Sequence, residues 1–285
     1  MNASTLLSLL LLQPALALAF DEPDAGAAAP GLAIEHGKAA TADASPVDPG
    51  AIEIEIGYAP EWSDGGGARG FAPSQPAHTH AFTTAITYGV VRDVDVKVAS
   101  GFATIFDAGH LHPDGSTPSN GHGLTDLTFG ARWRFLNLAE QGLEVALVGE
   151  AVAPTGAPHS ANQVGLSQEY WSARGALVAT KDLGRLSMNG ELAACVPVSG
   201  EAGGLRSVLQ VNAAVGYHVL PWVQPELELG YTNELGPDSQ VLAATAGVVV
   251  PFGARNRIVA AIRQGLWGKN ATETTSALFA FKSAL

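Results

Sequence analysis

The sequence predicts an all-β fold, a transmembrane up-and-down antiparallel β-barrel of about 12 strands. The first observation behind this prediction is a regular alternation of apolar and polar residues, which gives a strand one apolar and one polar face. The second is length, because the alternating segments run for roughly 11 to 14 residues, whereas strands of soluble proteins commonly have about 5 or 6. Tilted strands of the predicted length can cross a hydrocarbon core of roughly 30 Å.

The first alternating segment shows the pattern. Ile52, Ile54 and Ile56 alternate with Glu53 and Glu55, so that one face is apolar and the other is acidic. Segments of this kind lie at about 51–62, 79–91, 94–107, 123–136, 142–154, 169–181, 185–198, 206–219, 222–232, 240–250, 257–267 and 273–285. An even number of strands returns both ends of a barrel to the same side of the membrane.

The connections between the segments provide the third observation. Short turns near 91–94, 136–142, 181–185, 219–222 and 250–257 alternate with longer links near 63–78, 108–122, 155–168, 199–205, 233–239 and 268–272. Outer-membrane barrels have short periplasmic turns, longer extracellular loops and an aromatic girdle at each interface. Matching aromatic groups are Tyr88, Phe135, Tyr217, Trp222 and Phe252 by the short turns, and Trp62, Phe106, Trp171, Tyr231 and Trp267 by the long links. Alternation alone would also fit a soluble β-sandwich, but segment length, loop asymmetry and these girdles favour the membrane barrel.

The N-terminus predicts export. Residues 1–19 contain a leucine-rich core followed by Ala17-Leu18-Ala19, the pattern of a secretory signal peptide and its cleavage site. A membrane anchor is the alternative, which the short core and Pro14 disfavour. Residues 20–50 carry six acidic residues and one Lys without apolar periodicity, and are predicted to be a mobile acidic arm. The barrel is then predicted over residues 51–285, in a bacterial outer membrane.

Composition excludes several classes of protein. The chain has 285 residues, a net charge of -12, 47% hydrophobic residues and a single Cys. One Cys excludes a disulfide scaffold, and the acidic balance argues against nucleic-acid binding. No Gly-x-Ser-x-Gly turn, His-Glu-x-x-His helix or phosphate loop occurs in the sequence. The sequence therefore predicts neither an enzyme nor a bound cofactor.

Three short blocks carry a family resemblance. The stretch GHGLTDLTFGARWRF supplies Gly121, Gly123, Asp126, Gly130, Arg132, Trp133 and Arg134. Pro154-Thr155-Gly156 ends the fifth predicted strand, and VNAAVGYHVLPWVQPELELGY spans the eighth and ninth. These blocks resemble those of the outer-membrane proteins named for the phenol meta-cleavage (MetA) pathway. The resemblance implies a barrel of about this size and a role in the uptake of hydrophobic or aromatic compounds, with no established catalytic residues.

Charged residues of both signs fall on the predicted inner face. The acids are Glu53, Glu55, Asp95, Asp126, Glu144, Glu150, Glu191, Glu226 and Glu228, and the bases are Lys97, Arg132, Arg134, Arg174, Arg185, Arg257 and Arg263. Buried charges must be paired, so one interpretation is a lattice of internal ion pairs. The other is a polar pore whose charged walls select solutes. We predict as lumen-lining selectivity residues Arg132, Arg134, Glu144, Glu150, Arg174, Glu191, Glu226, Glu228 and Arg263.

Histidines suggest a second kind of site. His78 and His80 form one His-x-His pair and His110 and His112 another, both on predicted extracellular links or strand ends. Residues i and i+2 of an extended chain lie on one side, and imidazole is the commonest metal ligand. A metal site would need three or four converging ligands. Incidental histidines in solvated loops are the alternative.

Together these features predict a channel for the passive passage of small molecules. The expected partners are the lipid bilayer, a small-molecule solute and the barrel-assembly machinery. That machinery could read the C-terminal face formed by Phe279, Phe281 and Leu285. The alternative is a non-transport surface or structural barrel whose His-bearing extracellular loops bind a partner or a metal.

Overall fold

The computed structural model describes residues 39–63, 68–71, 77–106, 120–158, 160, 164–199, 207–220, 222–235, 238–252 and 255–285. The described residues form 13 strands and two short 3-10 turns. The strands are β1 (Ile52–Ser63), β2 (Ala77–Val91), β3 (Val94–Phe106), β4 (Asn120–Leu124), β5 (Leu127–Leu138), β6 (Leu143–Ala153), β7 (Ser172–Leu183), β8 (Leu186–Pro197), β9 (Ser207–Tyr217), β10 (Gln224–Leu235), β11 (Ser239–Phe252), β12 (Asn256–Lys269) and β13 (Thr274–Ala284).

The strands close into one antiparallel barrel. Apart from β4 and β5, consecutive strands pair with each other, and β1 pairs with both β2 and β13, for example Ile56 with Phe281. β4 and β5 both pair with β3, so they are two parts of one membrane-crossing strand. The described residues therefore form a closed 12-strand barrel, as the sequence predicts.

The one predicted strand that differs is the fourth, at 123–136, which is interrupted at Thr125 and Asp126. The carboxylate of Asp126 accepts the backbone N–H groups of Gly156 at 2.9 Å and Gln168 at 2.8 Å. The side chain thereby binds the loop that follows β6, and the strand is interrupted at this point. The interruption is thus caused by a tertiary contact that alternation does not report.

The outer face of the barrel is apolar. Large side chains there remain exposed, such as Leu227 at 62% and Ile262 at 61%, while their neighbours in sequence face the inner side and are less exposed. An apolar band of this kind suits contact with lipid acyl chains. Within the described part of the chain, no helix is long and apolar enough to cross a membrane.

Residues 39–48, here called the luminal segment, correct one prediction. Instead of belonging to a mobile arm, they lie inside the barrel, with residues 41–47 buried. Small side chains allow this stretch to pack against the inner wall, and the wall supplies hydrogen-bond partners for its backbone. The predicted signal peptide, 1–19, and residues 20–38 of the predicted arm lie outside the described residues.

A charge placed on the outer face tests the membrane orientation of the strands. Leu229 lies near the middle of β10 and is 53% exposed. Leu229→Arg is expected to lower the free energy of unfolding in phospholipid vesicles by about 2–4 kcal/mol, since it buries a cation among acyl chains. Val219→Arg, in the turn between β9 and β10, is the control and should cost no more than about 1 kcal/mol near the interface. Equal costs at both positions would contradict the lipid-facing assignment.

Candidate functional site

The luminal segment is held first by carboxylates on β8 and β10. The backbone N–H of Ala39 donates to Glu226 Oε1 at 3.0 Å, and that of Ala40 donates to Glu228 Oε1 at 2.9 Å. The Thr41 hydroxyl donates to Glu228 Oε2 at 2.7 Å. Farther along, the Ala42 N–H donates to Glu191 Oε2 at 3.1 Å. Three of the predicted selectivity residues are therefore acceptors for this segment.

The next residues cross β7, β6 and β3. Thr180 Oγ1 accepts the Ala44 N–H at 3.1 Å and donates to Asp43 Oδ1 at 3.0 Å. The Ser45 hydroxyl hydrogen-bonds Glu144. The Val47 N–H donates to Asp95 Oδ2 at 3.0 Å. The segment thus follows the inner wall from β10 to β3 before it enters β1.

Apolar contacts alternate with these hydrogen bonds. Ala42 and Ala44 pack on a buried patch of the inner wall, which comprises Ala146, Val148, Ala176, Val178 and Ala193. Ala39 packs on a second patch, which comprises Val249, Val259, Ala261 and Ala280. The segment covers apolar groups that would otherwise face the lumen, and this burial favours its docking.

One glycine provides room for the end of the luminal segment. A Cβ built on Gly89 of β2 would lie 2.0 Å from the Asp48 carbonyl oxygen and 2.5 Å from that of Val47. Backbone oxygens cannot move aside in the way that the end of a flexible side chain can. The close approach therefore requires glycine at this position.

Charged side chains across β3, β6, β7 and β8 form a connected ion-pair network. Lys97 Nζ lies 2.9 Å from Glu150 Oε1, and Arg174 Nη1 lies 3.3 Å from Glu150 Oε2. Arg174 also pairs with Glu191, which in turn accepts from Ala42. The network joins the wall of the barrel to the luminal segment.

Three further predicted residues pair on the periplasmic side. Arg132 Nη2 lies 2.5 Å from Asp95 Oδ2, and its Nη1 donates to the Asp43 carbonyl oxygen at 3.1 Å. Arg134 Nη1 lies 2.7 Å from Glu144 Oε1. The predicted lattice of ion pairs and the predicted lumen lining thus describe the same side chains. Arg185 is the exception among the residues expected inside, because it lies exposed in the turn between β7 and β8.

Cavities lie beside the luminal segment at two places among the described residues. The extracellular one, here called the vestibule, is bounded by Ala40 of the luminal segment. Arg263, the ninth predicted selectivity residue, lines it. The inner cavity is lined by the paired charges around Lys97, Arg132 and Glu150. At the rim beyond the vestibule, a hydrogen bond from Lys269 lowers the pKa of Asp238.

The predicted metal ligands are not brought together in the described residues. His78 and His80 lie on β2 with the outward-facing residues, and His80 Nδ1 is 2.8 Å from the Tyr58 hydroxyl. His110 and His112 lie outside the described residues. No group of three or more His, Cys, Asp or Glu side chains that could hold a metal occurs where the structure describes the chain. The metal site stays a hypothesis.

Sequence reasoning missed the luminal segment as part of the site. The absence of apolar periodicity in residues 20–50 favoured an arm, because scattered small residues such as Ala and Ser form no obvious core. A usable signal was present in the wall residues that the luminal segment covers. Val148 and Val178 occupy inner-face positions by alternation, although an aqueous lumen does not favour valine there. Such residues indicate that something covers the wall.

The closed barrel with an apolar exterior and a charged interior defines the class as a channel-type outer-membrane fold. The solved COG4313 outer membrane channel from Pseudomonas putida F1 matches with a TM-score of 0.72 at 16% identity, over 85% of this chain and 98% of that chain. The NanC porin matches with a TM-score of 0.50 at 9% identity, over 81% and 98% of the two chains. The KdgM porin also scores 0.50, at 10% identity, over 80% and 98%. At these identities the similarity shows the fold.

The sequence family is established separately. The family model described as "Putative MetA-pathway of phenol degradation" matches residues 72–281, which is more than half of the chain. The protein belongs to this family, in agreement with the resemblance of the three sequence blocks. Among curated proteins there is no match.

Removing the central acid of the ion-pair network tests how much the wall depends on it. Glu150→Gln leaves Lys97 and Arg174 without their shared counter-charge, and breaking a buried pair is strongly destabilising. We expect a loss of about 3 kcal/mol in the free energy of unfolding, measured by urea titration in vesicles. Glu140→Gln, on an exposed residue of the turn after β5, should change it by less than about 0.5 kcal/mol. Similar small changes in both variants would show that water in the lumen already screens the network.

Proposed function

We propose that the protein is a channel of the bacterial outer membrane that passes small molecules passively, and that it is not an enzyme. The observation that carries this proposal is the closed barrel with cavities on its inner side that polar and charged side chains line. Family membership and the fold of known channels support the same function.

The luminal segment sets the size of the solute. It runs along the inner wall from β10 to β3 and so reduces the open cross-section of the lumen. We infer that only small solutes and ions pass while the segment is docked. The paired charges of Lys97, Arg132 and Glu150, which line the inner cavity, then set the selectivity of the path.

We further propose hydrophobic or aromatic compounds as a substrate class. The description of the family refers to phenol degradation, which supports compounds of this kind. The interruption of the fourth membrane-crossing strand adds a structural argument. A small cavity at this position is lined by Thr83 and Ala85 of the inner face and by Thr84 and Ser100 of the outer face. Such a position is where a lateral path from the lumen to the lipid-facing side would lie.

The luminal segment also favours the alternative of a non-transport surface barrel. A segment that occupies the lumen narrows any pore, and extracellular loops could then bind a partner or a metal. Conductance distinguishes the two functions, because a non-transport barrel carries no ionic current.

Enlarging Gly89 tests the role of the luminal segment in the channel. In Gly89→Val the new side chain collides with the Asp48 and Val47 carbonyls, so the end of the segment must leave the wall. We expect a small conductance for the wild-type barrel in planar lipid bilayers and a larger one for Gly89→Val. Gly149→Val is the matched control, since a Cβ at Gly149 meets nothing within 4 Å, and its conductance should equal that of the wild type.

Folding is checked in each variant by heat-modifiable gel mobility. If neither the folded wild type nor the folded Gly89→Val variant conducts ions or passes solute, the channel function is wrong. Phenol permeation into wild-type proteoliposomes that is faster than permeation into protein-free liposomes of the same lipid would support the aromatic substrate class.

A metal titration tests the histidine hypothesis. If the loops bind a transition metal through the predicted pairs, His80→Ala should weaken Ni²⁺ binding at least tenfold, because imidazole supplies the ligands. The measurement is isothermal titration calorimetry on the folded barrel, with His218→Ala as the control on the periplasmic side. Equal weak binding by all three proteins would dismiss the site.

A further inference from the structure

Arg263 differs from the other arginines of the lumen. Arg132, Arg134, Arg174 and Arg257 each have a carboxylate oxygen within 4.0 Å. Arg263 has no ion pair or hydrogen bond of this kind with any described residue, and its side chain lines the vestibule. Glu61 and Glu228 attract the Arg263 guanidinium from beyond hydrogen-bonding distance, so its N–H groups are left for a ligand that supplies the acceptor.

The residues beside Arg263 form a charge pattern across five strands. In the strand register, Arg263 pairs with Ser276 on one side and with Thr245 on the other. Ser276 pairs in turn with Glu61, and Thr245 pairs with Glu228. The row therefore alternates acid, hydroxyl, base, hydroxyl and acid on the inner face. Since neighbouring strands lie about 4.8 Å apart, each acid is based about 10 Å from the arginine.

The two acids of this row are used differently. Glu228 accepts the Ala40 N–H and the Thr41 hydroxyl, so it belongs to the docking of the luminal segment. Glu61 is 7% exposed, lines the vestibule, and has a buried Oε2 with no hydrogen-bond partner among the described residues. A buried carboxylate oxygen without a donor is costly unless a ligand or water satisfies it. Glu61 and Arg263 are thus two groups of opposite charge that face the same cavity.

The wall of β9 and β10 supplies a further polar group next to the guanidinium. A Cβ built on Gly230 would lie 2.8 Å from Asn212 Oδ1 and 3.8 Å from an Nη atom of Arg263. Glycine therefore leaves room for both side chains at this position, and Asn212 also lines the vestibule. A carboxylate placed here could accept hydrogen bonds from the guanidinium and the amide together.

We propose that the vestibule is a binding site for a small zwitterion that carries both an ammonium and a carboxylate group. The carboxylate binds Arg263 with Asn212, and the ammonium binds Glu61. A simple anion would lack a partner for Glu61 and would be repelled by Glu61 and Glu234, whereas a simple cation would be repelled by Arg263. This ligand class goes beyond the hydrophobic and aromatic solutes of the proposed function, and binding requires only the folded barrel.

The experiment compares ligands of one chain length with different charges. Isothermal titration calorimetry on the full barrel in detergent micelles would use δ-aminovalerate as the zwitterion, valerate as the anion and pentylamine as the cation. We expect δ-aminovalerate to bind at least about tenfold more tightly than either control, because each control loses one charge-assisted contact. Glycine and γ-aminobutyrate extend the series to shorter charge separations.

Variants assign the two ends of the ligand. Arg263→Gln should weaken binding of δ-aminovalerate at least tenfold, and Glu61→Gln should reduce its affinity to that of valerate for the same variant. Arg255→Gln, on an exposed residue of the turn between β11 and β12, is the matched control and should bind like the wild type. Heat-modifiable mobility confirms folding, and Glu61→Gln keeps the test valid if Arg263→Gln does not fold.

Two results would overturn the proposal: valerate binding as tightly as δ-aminovalerate, or no zwitterion of the series binding to the folded wild type. A folded barrel that binds δ-aminovalerate but carries no current would instead contradict the channel function and support this site. The two failures are therefore distinguishable.

Discussion

Closure of the backbone hydrogen-bond ladder between β1 and β13 is the constraint on which the rest of the structure depends. In a hydrocarbon environment every strand edge must be paired, so the sheet has to close on itself. Closure in turn forces every second side chain into one shared interior. Lys97, Glu150, Arg174 and Glu191 come from four different strands, and they meet because the ring brings their inner faces together.

The interior satisfies its acids in two ways. On the side formed by β3 to β6, Asp95, Glu144 and Glu150 have Lys or Arg as partners. On the side formed by β8 to β10, carboxylates accept backbone N–H groups of the luminal segment. Asp95 and Glu191 combine both kinds of partner, because Asp95 also accepts the Val47 N–H and Glu191 also pairs with Arg174. These backbone donors explain how a lumen with many acids tolerates a segment whose side chains are mostly small and neutral.

Most strands of the barrel wall could be predicted from the sequence, whereas the segment that occupies the lumen could not. Alternation has a period of two residues regardless of tertiary structure, so it located the strands and placed residues such as Arg132 and Glu226 on the inner face. The role of Asp126 depends on a loop about 30 to 40 residues away, which no local pattern encodes. The luminal segment escaped prediction for a similar reason, since Ala42 and Ala44 become core residues only against Val148 and Val178. The position of such a segment is determined by the wall residues that it contacts, and its own sequence has no periodicity that would reveal it.

The position of the luminal segment at the start of the chain has a consequence for the order of folding. The bond from Ala40 to Glu228 joins residues 188 positions apart, and the bond from Ala39 to Glu226 joins residues 187 positions apart. Contacts of such high sequence separation can form only after the intervening chain has been arranged, because the entropy of closing so long a loop must be overcome first. We therefore expect β8 to β10 to be paired before residues 39 and 40 dock on them, so that the lumen is wider in this intermediate than in the folded barrel. The residues that narrow the lumen are then among the first to leave the ribosome.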